Sequence, residues 1–252
     1  MNSRSDKFFA GTSGLVLPVS QKQYPSAFQG KSRLEYYAHL FNSVEINSIF
    51  YKLPKESTVQ NWIASVPADF RFTFKVPKVI SHSKDFAYEE KDVEAFMQII
   101  SCASKHKGCL LIQFPPSLKA DKISQANKLL NTIAKYNSAK WKTAIEFRNV
   151  SWYNNETYAM LKEHKTAMVI HDLPASGTPL NIFTAPFSYL RFHGPGGRYR
   201  GSYTNEFLQT YAAIARERIA SGEDVFCYFN NTMGDAIGNL QTMITLVGSA
   251  GW

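Results

Sequence analysis

Short apolar runs alternate along this chain with stretches of helical spacing, and this alternation limits the folds that the chain can adopt. Eight segments have the length and apolar content of buried strands, namely 7–14, 43–50, 70–76, 109–114, 144–149, 167–172, 187–193 and 225–229. Such runs are typical of parallel strands that are covered on both sides. Because nearly every run is followed by a predicted helix, the pattern predicts a parallel α/β architecture.

The predicted helices are clearest where apolar residues recur every three or four positions, as at Ala126, Leu129 and Ile133. Ser57 and Gln60 have the spacing of a capping box, which predicts a helix start at that point. One connection differs from the others. Residues 173–186 contain three prolines, so we expect an irregular loop there instead of a helix.

Eight strand–helix units in 252 residues match the size of a (β/α)8 barrel, the TIM barrel. We therefore predict an α/β fold: one TIM-barrel domain over residues 1–252, closed by eight parallel strands, with an irregular connection between strands 6 and 7. A doubly wound open sheet is the alternative. It is slightly disfavoured because no G-x-G-x-x-G sequence follows the first strand.

The fifth apolar run ends in charge, with Glu146 and Arg148 two positions apart. In an extended chain both side chains point to the same face. Charges on one face of a core strand are unfavourable unless that face opens to water or to a ligand. Since TIM-barrel active sites lie at the carboxyl ends of the strands, the pair predicts a functional face, with Arg148 nearer the rim and able to contact an anion.

Polar residues end the other predicted strands in the same way, and a barrel would gather them in one pocket. They are Ser13, Glu45, Asn47, Lys75, Gln113, Glu146, Arg148, Asp172, Arg191, His193, Tyr228, Asn230 and Asn231. We predict catalytic roles for Glu45, Lys75, Glu146 and His193, and substrate binding by Arg148, Arg191, Asn47, Asp172, Asn230 and Asn231. Alternatively, the charged members form a buried ion-pair network that only fills the barrel.

A glycine-rich loop follows the seventh strand and spans residues 193–201. Glycines allow backbone N–H groups to approach an anion closely, and Arg198 would add positive charge. Phosphate is often held by the loops after strands 7 and 8 of a TIM barrel. We therefore add Arg198, Tyr199, Gly201 and Tyr203 to the predicted substrate-binding residues. The alternative is a surface loop with incidental arginines.

The composition bears on partners and location. The formal net charge of +8 at pH 7 favours anionic partners, without identifying one. No apolar run is long enough for a membrane helix, and no hydrophobic signal core follows the first residues. Three scattered cysteines are typical of a reducing compartment, so we expect a cytoplasmic protein. The sequence requires no cofactor, although the strand-end carboxylates and His193 could ligate a divalent metal.

The motifs at the strand ends have a recognisable order. They include Gly11-Thr12-Ser13-Gly14, Val44-Glu45-Ile46-Asn47, Gln113-Phe114-Pro115-Pro116, Glu146-Phe147-Arg148, Arg191-x-His193-Gly194 and Tyr228-Phe229-Asn230-Asn231. Over nearly the whole chain they resemble the motifs of the domain-of-unknown-function family 72, the YecE-like proteins. The resemblance implies a TIM barrel and does not imply a reaction. One departure is Leu15, which stands where the family has a tryptophan, so a ring that could stack on a ligand is absent.

Two functions of different kinds fit these observations. The first is an enzyme that acts on a small anionic or phosphorylated substrate by acid–base chemistry, which we favour. The second is a non-catalytic protein that binds nucleotides or nucleic acid, using positive charge and stacking on Trp152, Tyr199 and Tyr203. Salt-sensitive binding of long polyanions would favour the second, and a compact ligand at the strand ends would favour the first.

Overall fold

The computed structural model describes residues 6–248, which form a mixed α/β fold. The strands are β1 (Phe8–Thr12), β2 (Ser43–Ile46), β3 (Arg71–Lys75), β4 (Lys107–Gln113), β5 (Lys142–Glu146), β6 (Ala167–Met168), β7 (Ile170–His171), β8 (Phe187–Phe192) and β9 (Asp224–Phe229). The α-helices are α1 (Arg33–Leu40), α2 (Glu56–Ala64), α3 (Lys78–Ser81), α4 (Glu90–Ser101), α5 (Ile123–Tyr136), α6 (Asn155–Glu163), α7 (Asn205–Ala220) and α8 (Ala236–Gly248). No helix within the described residues is long and apolar enough to cross a bilayer.

The strands form two parallel sheets, with the orders β2-β3-β4-β5-β6 and β1-β9-β8-β7. The predicted parallel α/β fold is thereby confirmed. Continuous strand pairing does not close the sheets into the single eight-stranded barrel that the sequence predicted. At one seam β1 meets β2 through an isolated parallel bridge between Ser13 and Glu45. At the other, Val169 separates β6 from β7.

The break at Val169 has a local cause in the connection that follows β7. The backbone N–H of Met168 donates to Thr184 Oγ1 at 2.9 Å, and that of His171 donates to Thr178 Oγ1 at 3.2 Å. Threonine hydroxyls from the loop therefore accept hydrogen bonds from backbone N–H groups that would otherwise donate to a neighbouring strand. Between β7 and β8 the chain has no helix or strand, as the prolines predicted.

Two local predictions were wrong. The second strand stops at Ile46 because Asn47 adopts helical angles, with φ −95° and ψ −19°. Asn47 therefore does not continue the strand face that carries Glu45. Helix α2 begins at Glu56 with Lys55 as its N-cap, so Ser57 lies inside the first turn and forms no capping box.

The sheet faces explain where the polar residues lie. Alternate strand residues point to opposite faces of a sheet, and one face carries a buried cluster that includes Phe9, Cys109, Leu111, Ala144, Phe187, Tyr189, Phe226 and Tyr228. The opposite face packs on the helices in the main core, with Leu129 and Ile133 of α5 among its members. Toward the carboxyl ends of the strands, the face that carries the Phe9 cluster has polar residues instead of apolar ones. By strand parity these residues are Lys75, Gln113, Glu146 and Arg191.

Candidate active site at the carboxyl ends of the strands

Arg191 lies at the centre of a buried charged cluster. Its side chain is 1% exposed and bridges two carboxylates from other strands. Nη2 lies 2.8 Å from Glu45 Oε1 and Nε lies 2.9 Å from Glu45 Oε2, while Nη1 lies 2.9 Å from Glu146 Oε2. Only a planar guanidinium can serve two carboxylates in this way, so lysine could not replace Arg191 without losing contacts.

Glu45 is a carboxylate whose two oxygens are both occupied. Besides Arg191, Ser13 Oγ donates to Oε1 at 2.7 Å and Tyr189 OH donates to Oε2 at 2.6 Å. Burial raises the pKa of Glu45, but the charge and hydrogen bonds of Arg191 outweigh it, so the pKa lies below its ordinary value. Glu45 is therefore held ionised, with its donors already in place.

Arg148 covers the outer side of the cluster. Its Nε contacts Glu146 Oε1, as strand parity predicted, and Nη2 lies 3.0 Å from His193 Nε2. Burial raises the pKa of Glu146, but the charges of Arg191 and Arg148 outweigh it and hold that pKa well below its ordinary value. The Arg148 side chain is 10% exposed whereas that of Glu146 is fully buried, so Arg148 lies between Glu146 and solvent.

His193 has a tautomer that its neighbours define. Arginine can only donate, and both Arg191 Nη1 and Arg148 Nη2 lie within 3.0 Å of His193 Nε2. Nε2 therefore presents a lone pair, and the proton resides on Nδ1, which lies 3.2 Å from Asp172 Oδ1. Asp172 in turn accepts a hydrogen bond from the hydroxyl of Tyr203, which fixes the carboxylate.

Lys75 connects the cluster to solvent on the β3 side. Its Nζ donates to Gln113 Oε1 at 2.8 Å and lies 4.1 Å from the centre of the Phe50 ring. Burial and the nearby charge of Arg191 lower the pKa of Lys75 to about 8. Both the protonated and the neutral amine are therefore populated near physiological pH, as proton transfer requires.

A cavity of about 420 Å³ opens between the loops that follow β2 and β3, and it includes Phe50, whose ring Lys75 contacts. Phe50, Tyr51, Val79 and His82 help to line it, and Tyr51 is 81% exposed. Burial, followed by the charges of Lys75 and its neighbours, lowers the pKa of His82 to about 4. Only the adjacent aromatic residues after β2 could have indicated this cavity from the sequence.

The glycine-rich loop uses several of its N–H groups internally. Gly197 N donates to Gly194 O and Tyr199 N donates to His193 O, each at 2.7 Å, and Gly194 N donates to the hydroxyl of Tyr203. Arg198 is exposed and forms no ion pair within residues 6–248. Fewer donors are thus available to an anion here than the loop's sequence predicted.

The remaining predicted site residues lie around this cluster. Asn231 is buried and donates through Nδ2 to Gly201 O at 3.0 Å, which ties the loop after β9 to the loop after β8. Asn230 is half-buried, and the buried Oδ1 of Asn47 has no hydrogen-bond partner among the described residues. Of the three rings predicted for stacking, Trp152 and Tyr203 are buried and Tyr199 is 36% exposed.

A metal site is not evident in residues 6–248, where no group of three or more His, Cys, Asp or Glu side chains is arranged to hold an ion. The physical reason lies in the arginines. Glu45 and Glu146 already contact guanidinium donors on both oxygens, and a cation would have to displace them.

Tyr189 and Ser13 are the contributors whose roles the sequence did not reveal. Tyr189 precedes Arg191 by two positions and His193 by four, so in an extended chain all three side chains point to the same face. This spacing could have predicted Tyr189 as a member of the cluster. Ser13 was among the strand-end residues, but nothing in its own surroundings indicated Glu45 as its partner. That contact depends on the bridge between β1 and β2, which brings together residues 32 positions apart.

Comparison with known proteins identifies the family. Residues 9–251 match the model described as "Protein of unknown function DUF72". The UPF0759 protein YunF of Bacillus subtilis (strain 168) is 26% identical over 255 residues, covering 89% of each chain. The UPF0759 protein YecE of Escherichia coli (strain K12) is 37% identical over 86 residues, covering 34% of this chain and 32% of YecE.

Solved structures agree on the fold. A DUF72 family protein from Enterococcus faecalis V583 superposes with a TM-score of 0.80 at 24% identity, covering 97% of both chains. A DUF72 family protein from Thermotoga maritima MSB8 superposes with a TM-score of 0.71 at 24% identity, covering 95% of this chain and 98% of the other. The strand-end motifs, the fold and the match over residues 9–251 agree, and this chain belongs to the DUF72 family.

Proposed function

We propose that this protein is an enzyme that acts on a small anionic substrate, such as a phosphate ester, at the carboxyl ends of its strands. The observation that carries the proposal is the layered arrangement of charge. Arg191, Glu45 and Glu146 form a fully buried layer, while Arg148 and Lys75 cover it and reach solvent. A network that only filled the core would gain little from its charges, since well-packed apolar residues are often as stable.

In this proposal Arg148 is the contact for the substrate's anionic group. The guanidinium now covers Glu146 Oε1 and His193 Nε2. If it turned toward an incoming anion, Glu146 Oε1 would be uncovered, while His193 Nε2 would keep its contact with Arg191 Nη1. The Glu146 carboxylate and the imidazole, which Asp172 holds in place, would then face the substrate.

Lys75 is the second proton-transfer group of the proposal. Its pKa of about 8 allows the ammonium to donate a proton and the amine to accept one. The cavity lined by Phe50, Tyr51 and Val79 would receive the rest of the substrate. Glu45 acts through Arg191, as a positioning residue, because all of its contacts lie within the buried layer.

We infer that the two sheets act together as one eight-stranded barrel, since β1 and β2 are bridged and only Val169 divides β6 from β7. We also infer a single domain over residues 1–252 that works in the cytoplasm. The competing function, binding of nucleic acid, has less support because only Tyr199 of its three stacking rings is well exposed.

The test is a panel of small anions measured by thermal shift: inorganic phosphate, sulfate, glycerol 3-phosphate, glucose 6-phosphate, a nucleoside monophosphate and a dicarboxylate. We expect at least one to raise the melting temperature of the wild type, and Arg148→Met to lose most of that shift. The matched control is Arg218→Met, which also removes an arginine–glutamate pair but lies at the end of α7. No stabilisation by any anion, or equal losses in both variants, would contradict the proposal.

A further inference from the structure

The amino ends of the strands carry a second concentration of charge, which the proposed function does not use. β3, β4 and β5 are neighbours in one sheet, and each begins with a cation: Arg71, Lys107 and Lys142. Strand parity puts Arg71 and Lys142 on the same face as Lys75 and Glu146, while Lys107 lies next to an irregularity in the pairing of β3 with β4. Cations therefore occupy the amino end of the face whose carboxyl end holds the candidate active site.

These three cations line a cavity of about 380 Å³ together with Lys105 and Lys140. The carboxylates that line it are Asp6 and Asp224, and Asp224 is paired with Lys142 at 2.8 Å. Five cations face two anions, which leaves an excess of three positive charges. We call these five residues, Arg71, Lys105, Lys107, Lys140 and Lys142, the amino-end basic site.

Two of the five cationic side chains have no partner in the part of the chain that the structure describes. Lys107 Nζ donates to Ala139 O, and Arg71 Nη1 donates to Ala68 O at 3.2 Å. The side chains of Lys105 and Lys140 are exposed and form no hydrogen bond or ion pair with other residues of 6–248. Like charges held around one cavity repel each other, and an anion between them would relieve that repulsion.

Lys140 is held in a backbone conformation that glycine would adopt more easily, with φ +57°. Asn137 fixes this turn, because its side chain accepts from Trp141 N and donates to Trp141 O, both at 2.8 Å. The chain thus keeps a cationic side chain at a position where its backbone is strained. Strain that surrounding contacts maintain in this way is frequent at binding sites.

The neighbouring residue Trp141 belongs to the core beside this site. Its ring is 3% exposed and packs against Phe74 with the ring centroids 5.5 Å apart. Trp141 also lines an adjoining cavity of about 360 Å³, together with Lys140 and Lys142. The two cavities therefore share Lys140 and Lys142.

We propose that the amino-end basic site binds a compact polyanion with two or more phosphate groups, of the size of pyrophosphate or tripolyphosphate. Several cations around a cavity of this volume suit a short, highly charged ligand. Single-stranded nucleic acid is disfavoured, because the rings at the cavity, Phe9 and Phe226, are buried and stacked on each other with centroids 5.0 Å apart. A base would therefore have no exposed ring on which to stack.

The experiment is isothermal titration calorimetry of the full chain with sodium tripolyphosphate at pH 7.5, in an Arg148→Met background so that the candidate active site contributes little. We expect Lys140→Gly to weaken binding about fivefold or more through the loss of one charged contact. The melting temperature of that variant should stay the same or rise, because glycine relieves the positive φ. Lys105→Ser should also weaken binding.

Lys22→Ser is the matched control, since Lys22 is exposed, lacks a partner within residues 6–248 and lies after the carboxyl end of β1. It should leave the affinity unchanged. The proposal is overturned if tripolyphosphate does not bind, if Lys140→Gly leaves the affinity unchanged, or if Lys22→Ser weakens binding equally. A single-stranded DNA 12-mer that binds more tightly than tripolyphosphate would overturn the assigned ligand class. None of these results depends on the proposed function, because all variants are compared in the same Arg148→Met background and differ only at residues outside the candidate active site.

Discussion

Arg148 and Arg191 belong to one network but differ in what their removal would leave buried. Without Arg148, Glu146 keeps its contact with Arg191, and water can reach it from the rim. Without Arg191, two carboxylates that are fully buried lose their main cation. Comparing substitutions of the two arginines therefore distinguishes a residue that binds ligand from a residue that stabilises the fold.

We expect Arg148→Met to lower the free energy of unfolding by about 1 kcal/mol, the range of a partly solvated ion pair. Arg191→Met should lower it by about 3–5 kcal/mol, because the variant leaves buried charge uncompensated. Urea unfolding of both variants at pH 7.5 measures the difference. A loss in Arg148→Met as large as that in Arg191→Met would make Arg148 a structural member of the core instead of a ligand contact.

The sequence predicted part of the site. The spacing of Glu146 and Arg148 was sufficient to predict a shared face, because side-chain direction alternates along a strand. The hydrogen bonds of Tyr189 and Ser13 to Glu45 were not predictable, since they join strands that are adjacent only in the folded sheets. The lowered pKa of Lys75 likewise depends on burial and on Arg191, neither of which a strand pattern shows.

Among the elements, β1 and β2 meet at a seam without continuous pairing, and Gly11 makes their approach possible. A Cβ atom at Gly11 would lie 2.0 Å from Ser43 O and 2.8 Å from the hydroxyl of Tyr37. That hydroxyl links the two strands, because it accepts from Thr12 N at 2.7 Å and donates to Ser43 O at 3.2 Å. Backbone atoms cannot move away as a flexible side chain could.

Gly11→Ala should therefore lower the free energy of unfolding by about 2–3 kcal/mol or more, as overpacking in a buried seam does. Gly248→Ala is the matched control, since a Cβ at this end of α8 meets no atom of residues 6–248 within 4 Å. It should be neutral or slightly stabilising because alanine favours a helix. The stability of the two variants is compared by thermal or urea unfolding. Equal stability would mean that the seam between β1 and β2 can open to admit a methyl group.

The order of strands and helices was predictable because it follows from periodicity, but several boundaries were not. The strand predicted for 167–172 divides at Val169, where Thr178 and Thr184 offer hydroxyls to its backbone. Their effect depends on where the irregular loop folds back, and the sequence shows only that the loop is irregular. Asn47 ends β2 early for a similarly local reason, a change of backbone angles.

On the scale of the whole molecule, one sheet face carries three zones from end to end. Cations lie at its amino end, buried apolar residues such as Leu111 and Ala144 at its middle, and the network around Arg191 at its carboxyl end. The overall composition showed only a net charge of +8, because composition does not record which end of the strands a charge occupies. The positions of the charges follow only when both the strand parity and the strand pairing are known.

We claim that the network at the carboxyl ends is a working site, and the charge of Lys75 allows this to be tested by pH. The measurement is the affinity of the wild type and of Lys75→Met for the best phosphate ester of the anion panel, between pH 7.5 and 9.5. The pKa of Lys75 is lowered to about 8, so its positive charge is lost as the pH rises through this range, while the ester stays dianionic. The wild type should therefore bind about tenfold more weakly at pH 9.5, and Lys75→Met should show a flat profile. A flat profile in the wild type, or the same slope in Lys75→Met, would contradict the claim.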